Sequence, residues 1–224
     1  MVNDDMKPAE QIALWADRLR DISAMGLCFA KGPHDQIAYR EVQSISMEML
    51  ALSTGEPLER IEPLRGTLFS RPTPLATGEG AVIDEEGRIL LIRRADNGKW
   101  AMPGGALDVG ETPAEGVQRE VLEETGVGCR AVALAGVFDS LLCGSETPYH
   151  LYHLLFLCEP MGPEPERNPS HDFEVLEMGW FTEDDLPQDI DPGHVRRIPR
   201  AFSFWRGERR AFFDGEETSA TVTA

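Results

Sequence analysis

The stretch Gly105–Val127, GALDVGETPAEGVQREVLEETGV, decides the fold of this chain, because a turn, a capped helix and a cluster of acids fall within it. Thr112 can N-cap a helix, Pro113 suits its first position, and Glu115 completes a capping box with Thr112. The helix is predicted to start at Pro113 and to close at Gly126, a residue that accepts the left-handed conformation of a helix end. At about 100° per residue, Glu120, Glu123 and Glu124 share one narrow arc, while Val117, Val121 and Leu122 lie opposite, toward a core. Like charges three and four apart destabilise a helix by roughly 0.2–0.5 kcal/mol per pair, so three clustered carboxylates imply a compensating cation. Mg²⁺ and Mn²⁺ suit such oxygen donors and keep coordination positions open for phosphate. Gly116, in mid-helix near the same face, costs roughly 1 kcal/mol relative to Ala, and the sequence reading assigns it room for an approaching anion.

An acidic helix face taken alone is more often plain solvated surface. Here the wider spacing argues otherwise. Gly105, five residues, Glu111, seven residues, then Arg119, Glu120, Val121, Glu123, Glu124, Gly126 and Val127 reproduce the signature of the Nudix hydrolases at every fixed position. Trp100 and the following Pro103-Gly104-Gly105 turn match the lead-in common in that family, so the chain resembles a Nudix hydrolase. The resemblance implies an α/β fold, an α/β/α sandwich built on a mixed sheet. It also implies that Glu120, Glu123 and Glu124 hold Mg²⁺ or Mn²⁺ together with the main-chain carbonyl of Gly105. Arg119 is then expected to pair with Glu111 and the neighbouring acids and fix their orientation. The reaction is attack of water on one phosphorus of a diphosphate, with the general base either Glu174, six residues before Trp180, or Glu124 of the helix itself.

Working outward, 224 residues suffice for one sizeable core and a small extra module. With 39 acidic against 21 basic residues the formal charge is −18, which argues against stable nucleic-acid binding, since that rests on Lys and Arg neutralising phosphates. The four cysteines show no C-x-x-C pair, and no signal peptide or membrane-length apolar run is read, so a cytoplasmic location is expected.

Apolar residues Ile12, Trp15, Leu19 and Ile22, then Val42, Ile45, Met49 and Leu52, recur at helical spacing on either side of Gly32-Pro33 and predict an αα-hairpin. Two helices alone bury too little surface to be stable, so the hairpin packs on its own chain or on a second subunit; a homodimer is preferred. The predicted domains are residues 1–66 as the hairpin, 67–212 as the Nudix domain and 213–224 as a disordered acidic, Thr-rich tail. From Ala76 the pattern turns to strands: TGEGAVID and RILLIRR predict an antiparallel pair, CRAVALAGVFDS, PYHLYHLLFLCEP and EVLEMGWFT predict further strands, and Pro192–Trp205 a closing helix. The hairpin, the strand ending GVFD and the GWFTEDDLP segment extend the resemblance to the Nudix subgroup with an N-terminal helical extension, which includes CDP-choline pyrophosphatases.

Candidate substrate contacts follow. Strand alternation sends only one of Arg93 and Arg94 to a given face. Trp100, Phe138 and Asp139 are candidate pocket walls, and His150 or His153, on opposite faces of one strand, can reach substrate but cannot share a metal. The expected substrate is a small nucleotide derivative: a nucleoside diphosphate linked to choline, ribose or another sugar. The alternatives are a nucleoside triphosphate pyrophosphohydrolase, which differs only in its pocket walls, and a Nudix-fold regulator that binds without cleaving, disfavoured by the intact signature acids.

Overall fold

The computed structural model describes residues 7–67, 69, 74–146, 150–162 and 173–215. Part of the expected linker (68 and 70–73), the start of the PYHLYHLLFLCEP segment (148–149) and the tail from Glu216 lie outside the described residues. The chain separates into two compact units, residues 1–73 with 108–110, and residues 74–107 with 111–224.

In the first unit, α1 (Pro8–Phe29) and α2 (Pro33–Thr54) form the predicted hairpin, followed by the short helices α3 (Leu58–Ile61) and α4 (Leu64–Thr67). Proline stands in the first turn of α1 and of α2, and Gly55 ends α2 in the left-handed conformation. Where α1 meets α2 two small residues touch, and the predicted apolar stripes are only partly covered. Ala16 and Ser23 are buried on α1, Ser46, Met47 and Ala51 on α2, and the Ser46 hydroxyl donates to the Ala16 carbonyl at 2.6 Å. Trp15, Ile22 and Ile45 are exposed, and Leu52 is 72% exposed. Ile12, Leu19, Val42 and Met49 of the predicted stripes are half-buried.

The second unit contains β1 (Leu75–Val82), β2 (Arg88–Arg94), β3 (Trp100–Ala101), β4 (Gly104–Ala106), α5 (Pro113–Thr125), β5 (Cys129–Asp139), β6 (Leu151–Pro160), β7 (Val175–Thr182), α6 (Pro192–Val195), α7 (Arg197–Trp205) and β8 (Phe212–Phe213). A five-stranded mixed sheet runs β4-β1-β6-β5-β8, with β1 parallel to β6, and a three-stranded antiparallel sheet runs β3-β2-β7. The sequence predicts β1 and β2 as an antiparallel pair; the structure joins them by an antiparallel bridge between Ile83 and Ile89 and by the Asp84 N–H donating to the Arg88 carbonyl at 3.0 Å, and places them in different sheets. Ile89, Leu90, Leu91 and Ile92 are all buried, and a strand covered on both faces needs a layer on each side.

Two cores result. Val82, Leu90, Val117, Val121 and Cys158 pack beneath α5, while Ala81, Ile83, Leu91, Ile198 and Phe202 pack beneath α7. Gly78 and Gly80 let α5 approach the sheet, because a Cβ at either would lie 2.5 Å from Val117 or Val121. Glu79, between them, therefore points to the α7 side. The predicted single closing helix is two. Pro199 has no N–H with which to reach the Val195 carbonyl, so the ladder cannot run on from α6 into α7.

Candidate active site

Helix α5 begins as its sequence dictates: the Glu115 N–H donates to Thr112 Oγ1 at 3.3 Å, and the Thr112 N–H donates to the Glu115 carboxylate at 2.8 Å. Gly126 closes it in the left-handed conformation, its N–H donating to Leu122 at 2.8 Å. On the acidic face Arg119 gathers the carboxylates. It donates to Glu111 through Nε and Nη2 at 3.1 and 2.9 Å, and through Nη1 to Glu120 at 2.7 Å and Glu123 at 3.1 Å. The hydrogen bonds to Glu111 lead in holding its guanidinium more basic than usual. The space at Gly116 is taken by the protein itself, not left for an anion: a Cβ there would lie 2.4 Å from Glu111 Oε1 and 2.6 Å from Leu107.

The register of β1 with β4 pairs Gly78 with Gly105 and Glu79 with Gly104. This fixes the glycine turn against the end of α5. The Gly104 N–H donates to Glu124 Oε2 at 2.8 Å, and Glu120 sits so close to Gly105 that a Cβ there would lie 2.6 Å from its Oε2. Burial pushes the Glu124 carboxyl up to about 8; Glu120 and Glu174 reinforce the rise, while the Gly104 N–H and Arg94 oppose it. Among the described residues no three His, Cys, Asp or Glu side chains stand gathered as a metal cage, since Arg119 draws Glu120 and Glu123 to itself. The donors nevertheless suit a hard divalent cation: carboxylate oxygens beside the Gly105 main chain, one of them in a site where negative charge is poorly compensated.

A cleft of about 920 Å³ opens at this point, with Arg94, Gly105, Glu124 and Glu174 among its lining residues. Arg94 is held by Asp96 at 2.7 and 3.0 Å. Its neighbour Arg93 turns instead to the Gly98 carbonyl at 2.9 Å and toward Glu177. The other predicted contacts lie outside the cleft lining. Trp100 packs edge-on against Phe181 at 5.0 Å, Phe138 is buried against Phe212 with ring centres 4.5 Å apart, and Asp139 pairs with His150 at 3.0 Å. Phe138 is claimed by the core because strand alternation turns it inward.

The cleft also has a buried polar floor that the sequence reading missed. Glu79, His194 and Arg197 line it, together with His153, which the sequence suggests only as a lone strand histidine. Arg197, 1% exposed, donates from Nη1 to Glu79 Oε1 and from Nε to the Gly193 carbonyl at 2.7 Å. His153 Nδ1 lies 3.0 Å from Glu79 Oε1 and 2.8 Å from Thr77 Oγ1. Burial opposes ionisation of Glu79, but Arg197 and the two histidines win and hold its carboxyl down to about 2. Burial and Arg197 push His194 the other way for a base, down to about 3, so its Nδ1 is free to accept the Met102 N–H at 3.2 Å. One signal was available: Arg197 shares its helix face with Ile198, Ala201 and Phe202, the buried face of α7.

A mixed-sheet sandwich carrying an acid-faced helix against a glycine turn defines a Nudix-type fold. A family model described as the NUDIX domain matches residues 76–201, and one described as a UDP-X-like, N-terminal oligomerisation domain matches residues 10–64. The chain belongs to the Nudix hydrolases and carries the N-terminal extension of their UDP-X-like members. Those hydrolases generally require a divalent metal. The chain is 34% identical over 173 residues to a putative ADP-ribose pyrophosphatase of Bacillus subtilis (strain 168), covering 77% of this chain and 81% of that one. It is 40% identical over 129 residues to a MutT-like protein of Streptomyces ambofaciens, covering 58% and 77%. Among solved structures it is similar to a UDP-X diphosphatase, with a TM-score of 0.58, 25% identity, and coverage of 93% of this chain and all of that one (100%).

Proposed function

We propose that this protein is a Mg²⁺- or Mn²⁺-dependent pyrophosphohydrolase. It cleaves a nucleoside diphosphate linked to a second group, giving a nucleoside monophosphate and a phosphorylated product. The observation that carries the reading is the Glu124 carboxyl, raised to about 8 beside Glu120 and the Gly104-Gly105 turn, in a cleft of about 920 Å³. A buried acid of this kind favours a cation beside it. Glu120, Glu123, Glu124 and the Gly105 carbonyl are the proposed metal ligands, with Arg119 and Glu111 setting the carboxylates' orientation. A divalent cation bound there polarises phosphoryl oxygens and offsets charge on the leaving phosphate.

Arg94 lines the cleft, and in this reading it exchanges its exposed pairing with Asp96 for the oxygens of the diphosphate. Glu174 lines the same cleft and takes the proton of the attacking water as a P–O bond to the bridging oxygen breaks. The printed names of similar proteins, ADP-ribose pyrophosphatase and UDP-X diphosphatase, support a diphosphate linked to a sugar. The test is hydrolysis of CDP-choline, ADP-ribose, UDP-glucose, ATP and oxidised dGTP with Mg²⁺ or Mn²⁺, beside a Glu123→Gln/Glu124→Gln variant. Monophosphate release from a diphosphate-linked substrate, lost in the variant, is the expected result; preferential release of pyrophosphate from a triphosphate would replace this reading with the nucleotide-pool alternative.

The N-terminal domain, residues 1–66, is proposed to form a homodimer. The exposed Trp15, Ile22, Ile45 and Leu52 support this, as does the match to an oligomerisation domain. Sedimentation at two concentrations tests it, and a monomer throughout would end it. Four free thiols suit a cytoplasmic location.

A further inference from the structure

Phe173, in the turn that leads into β7, is 68% exposed and lines the cleft. Single exposed apolar residues are ordinary on a protein surface; this one is set apart by where it stands. Its neighbour Glu174 lines the same cleft, and the Glu174 carbonyl accepts the Ala95 N–H at 2.8 Å. In the adjoining register of β2 with β7, Arg94 pairs with Val175. The ring is therefore carried on backbone tied to the segment that presents Arg94, next to the residue proposed to take the proton of water. Among the described residues that line the cleft, Phe173 supplies the one Phe, Tyr or Trp ring.

The lining around it is hydrophilic: Asp96, Asn97 and Glu146 are exposed there. Water serves such groups well, whereas a large apolar ring left in water is stabilised by contact with another flat apolar face. The parts of a nucleoside diphosphate derivative differ in what they offer it. Phosphates carry charge and belong with Arg94 and the cation, and a sugar presents mostly hydroxyls. A quaternary ammonium is held by a cage of aromatic faces, and one ring is not a cage. A nucleobase is flat, and one aromatic side chain is enough to stack on it. The base is also the part that every diphosphate-linked substrate in this reading possesses, whatever its second group.

We propose that Phe173 is the platform on which the nucleobase of the substrate stacks, a subsite that adds affinity for any nucleoside without selecting one base. This rests on the reading of the cleft as the pyrophosphohydrolase site and assigns the nucleoside end of the substrate to the side of the cleft where β7 begins.

The experiment compares wild type, Phe173→Ala and Phe173→Trp with Mg²⁺ on ADP-ribose, CDP-choline and UDP-glucose, and measures AMP and ribose 5-phosphate as inhibitors. Loss of one base–aromatic stack predicts a fall of about 5- to 100-fold in kcat/KM for Phe173→Ala, carried by KM and shared by the substrates that wild type cleaves. Phe173→Trp keeps an aromatic face and should stay within about threefold of wild type. The inhibition constant of AMP should rise in Phe173→Ala by the same factor as KM, while that of ribose 5-phosphate stays put. Wild-type kcat/KM in Phe173→Ala overturns the proposal. So does a loss confined to CDP-choline, or an equal loss for ribose 5-phosphate, since the second group would then occupy the ring. A fall in kcat that Phe173→Trp fails to restore overturns it too, because Phe173 would then support Glu174 and not the base. If wild type cleaves no diphosphate substrate, the pyrophosphohydrolase reading fails separately. Titration of AMP into Phe173→Trp, read as quenching of tryptophan emission beyond that of wild type, then decides the subsite, and no added quenching rejects it.

Discussion

Glu124 and Glu79 are buried carboxylates on one cleft, yet the first is pushed up to about 8 and the second held down to about 2. Burial raises both. The difference is the source of the compensating charge. Glu79 has Arg197 in contact, delivered by α7 as part of the fold, whereas Glu124 has two further carboxylates nearby and only a modest influence from Arg94. A carboxylate whose cation is built in belongs to the scaffold and can present a fixed polar surface. One without such a partner favours a proton or, on the function proposed above, a metal ion.

The contrast is broken most directly at Glu124. Glu124→Gln should lower Mg²⁺-dependent hydrolysis by on the order of 10²–10³-fold, the scale of losing one transition-state contact. Its melting temperature in EDTA should stay level or rise, because an awkwardly buried acid has gone. A variant that loses stability in EDTA but keeps its activity would show that Glu124 is structural after all. Arg197→Met tests the other side, since it leaves Glu79 buried without its cation. Removing one member of a buried pair costs about 3–5 kcal/mol, while replacing both by apolar groups is often near neutral. The denaturation midpoint should therefore fall sharply for the single variant and recover much of the loss in Glu79→Leu/Arg197→Met. No recovery would mean that the floor is held by something other than this pair.

The two groups also predict opposite responses to pH. Glu79, low in the folded state, contributes stability that is present above the unfolded carboxylate range, near ~4.3, and that is lost as the pH falls toward 2. Glu124, high in the folded state, favours the metal-free fold below that range and progressively less as the pH climbs to about 8. A cation that replaces its proton should then gain up to about tenfold in affinity per pH unit over that climb. Calorimetric Mg²⁺ titrations at pH 6 and 8 read this directly, and equal affinities would remove Glu124 from the metal site.

The helix that carries Glu124 was legible in the sequence, and the floor was not. Thr112, Glu115 and Gly126 act within a few residues of each other, so local rules place the helix and its acidic face without knowledge of the sheets. The Arg119–Glu111 pair is likewise fixed by spacing along one helix and its lead-in turn. The floor joins Glu79 on β1, His153 on β6 and Arg197 on α7, and only the parallel pairing of β1 with β6 brings Thr77 opposite His153. Non-local pairing also explains the misplaced β1–β2 hairpin. Apolar alternation marks a strand but does not say which sheet receives it, and RILLIRR is apolar on both faces. In α1 and α2 the apolar period was visible, but the fully buried positions include Ala16, Ser23 and Ser46, which a stripe of Ile, Leu and Trp conceals.

The smallest effect sharpens the comparison by separating charge from helix integrity. Thr112 and Glu115 satisfy the first turn of α5 reciprocally, yet neither is among the residues lining the cleft. Thr112→Ala removes the hydroxyl that receives the Glu115 N–H and should cost about 1 kcal/mol of stability, read as a shift in the urea midpoint. The carboxylates lie two to three turns further along, held by Arg119 and by the Gly104 N–H, and the electrostatic influence of a helix end falls off within its first turn. Hydrolysis and Mg²⁺ affinity should accordingly remain within about threefold of wild type, a tolerance below ~1 kcal/mol. If this cap variant weakened metal binding as strongly as Glu124→Gln, the opposite acidities of Glu124 and Glu79 would reflect how firmly α5 is folded, and the argument from missing and built-in counter-charge would fall.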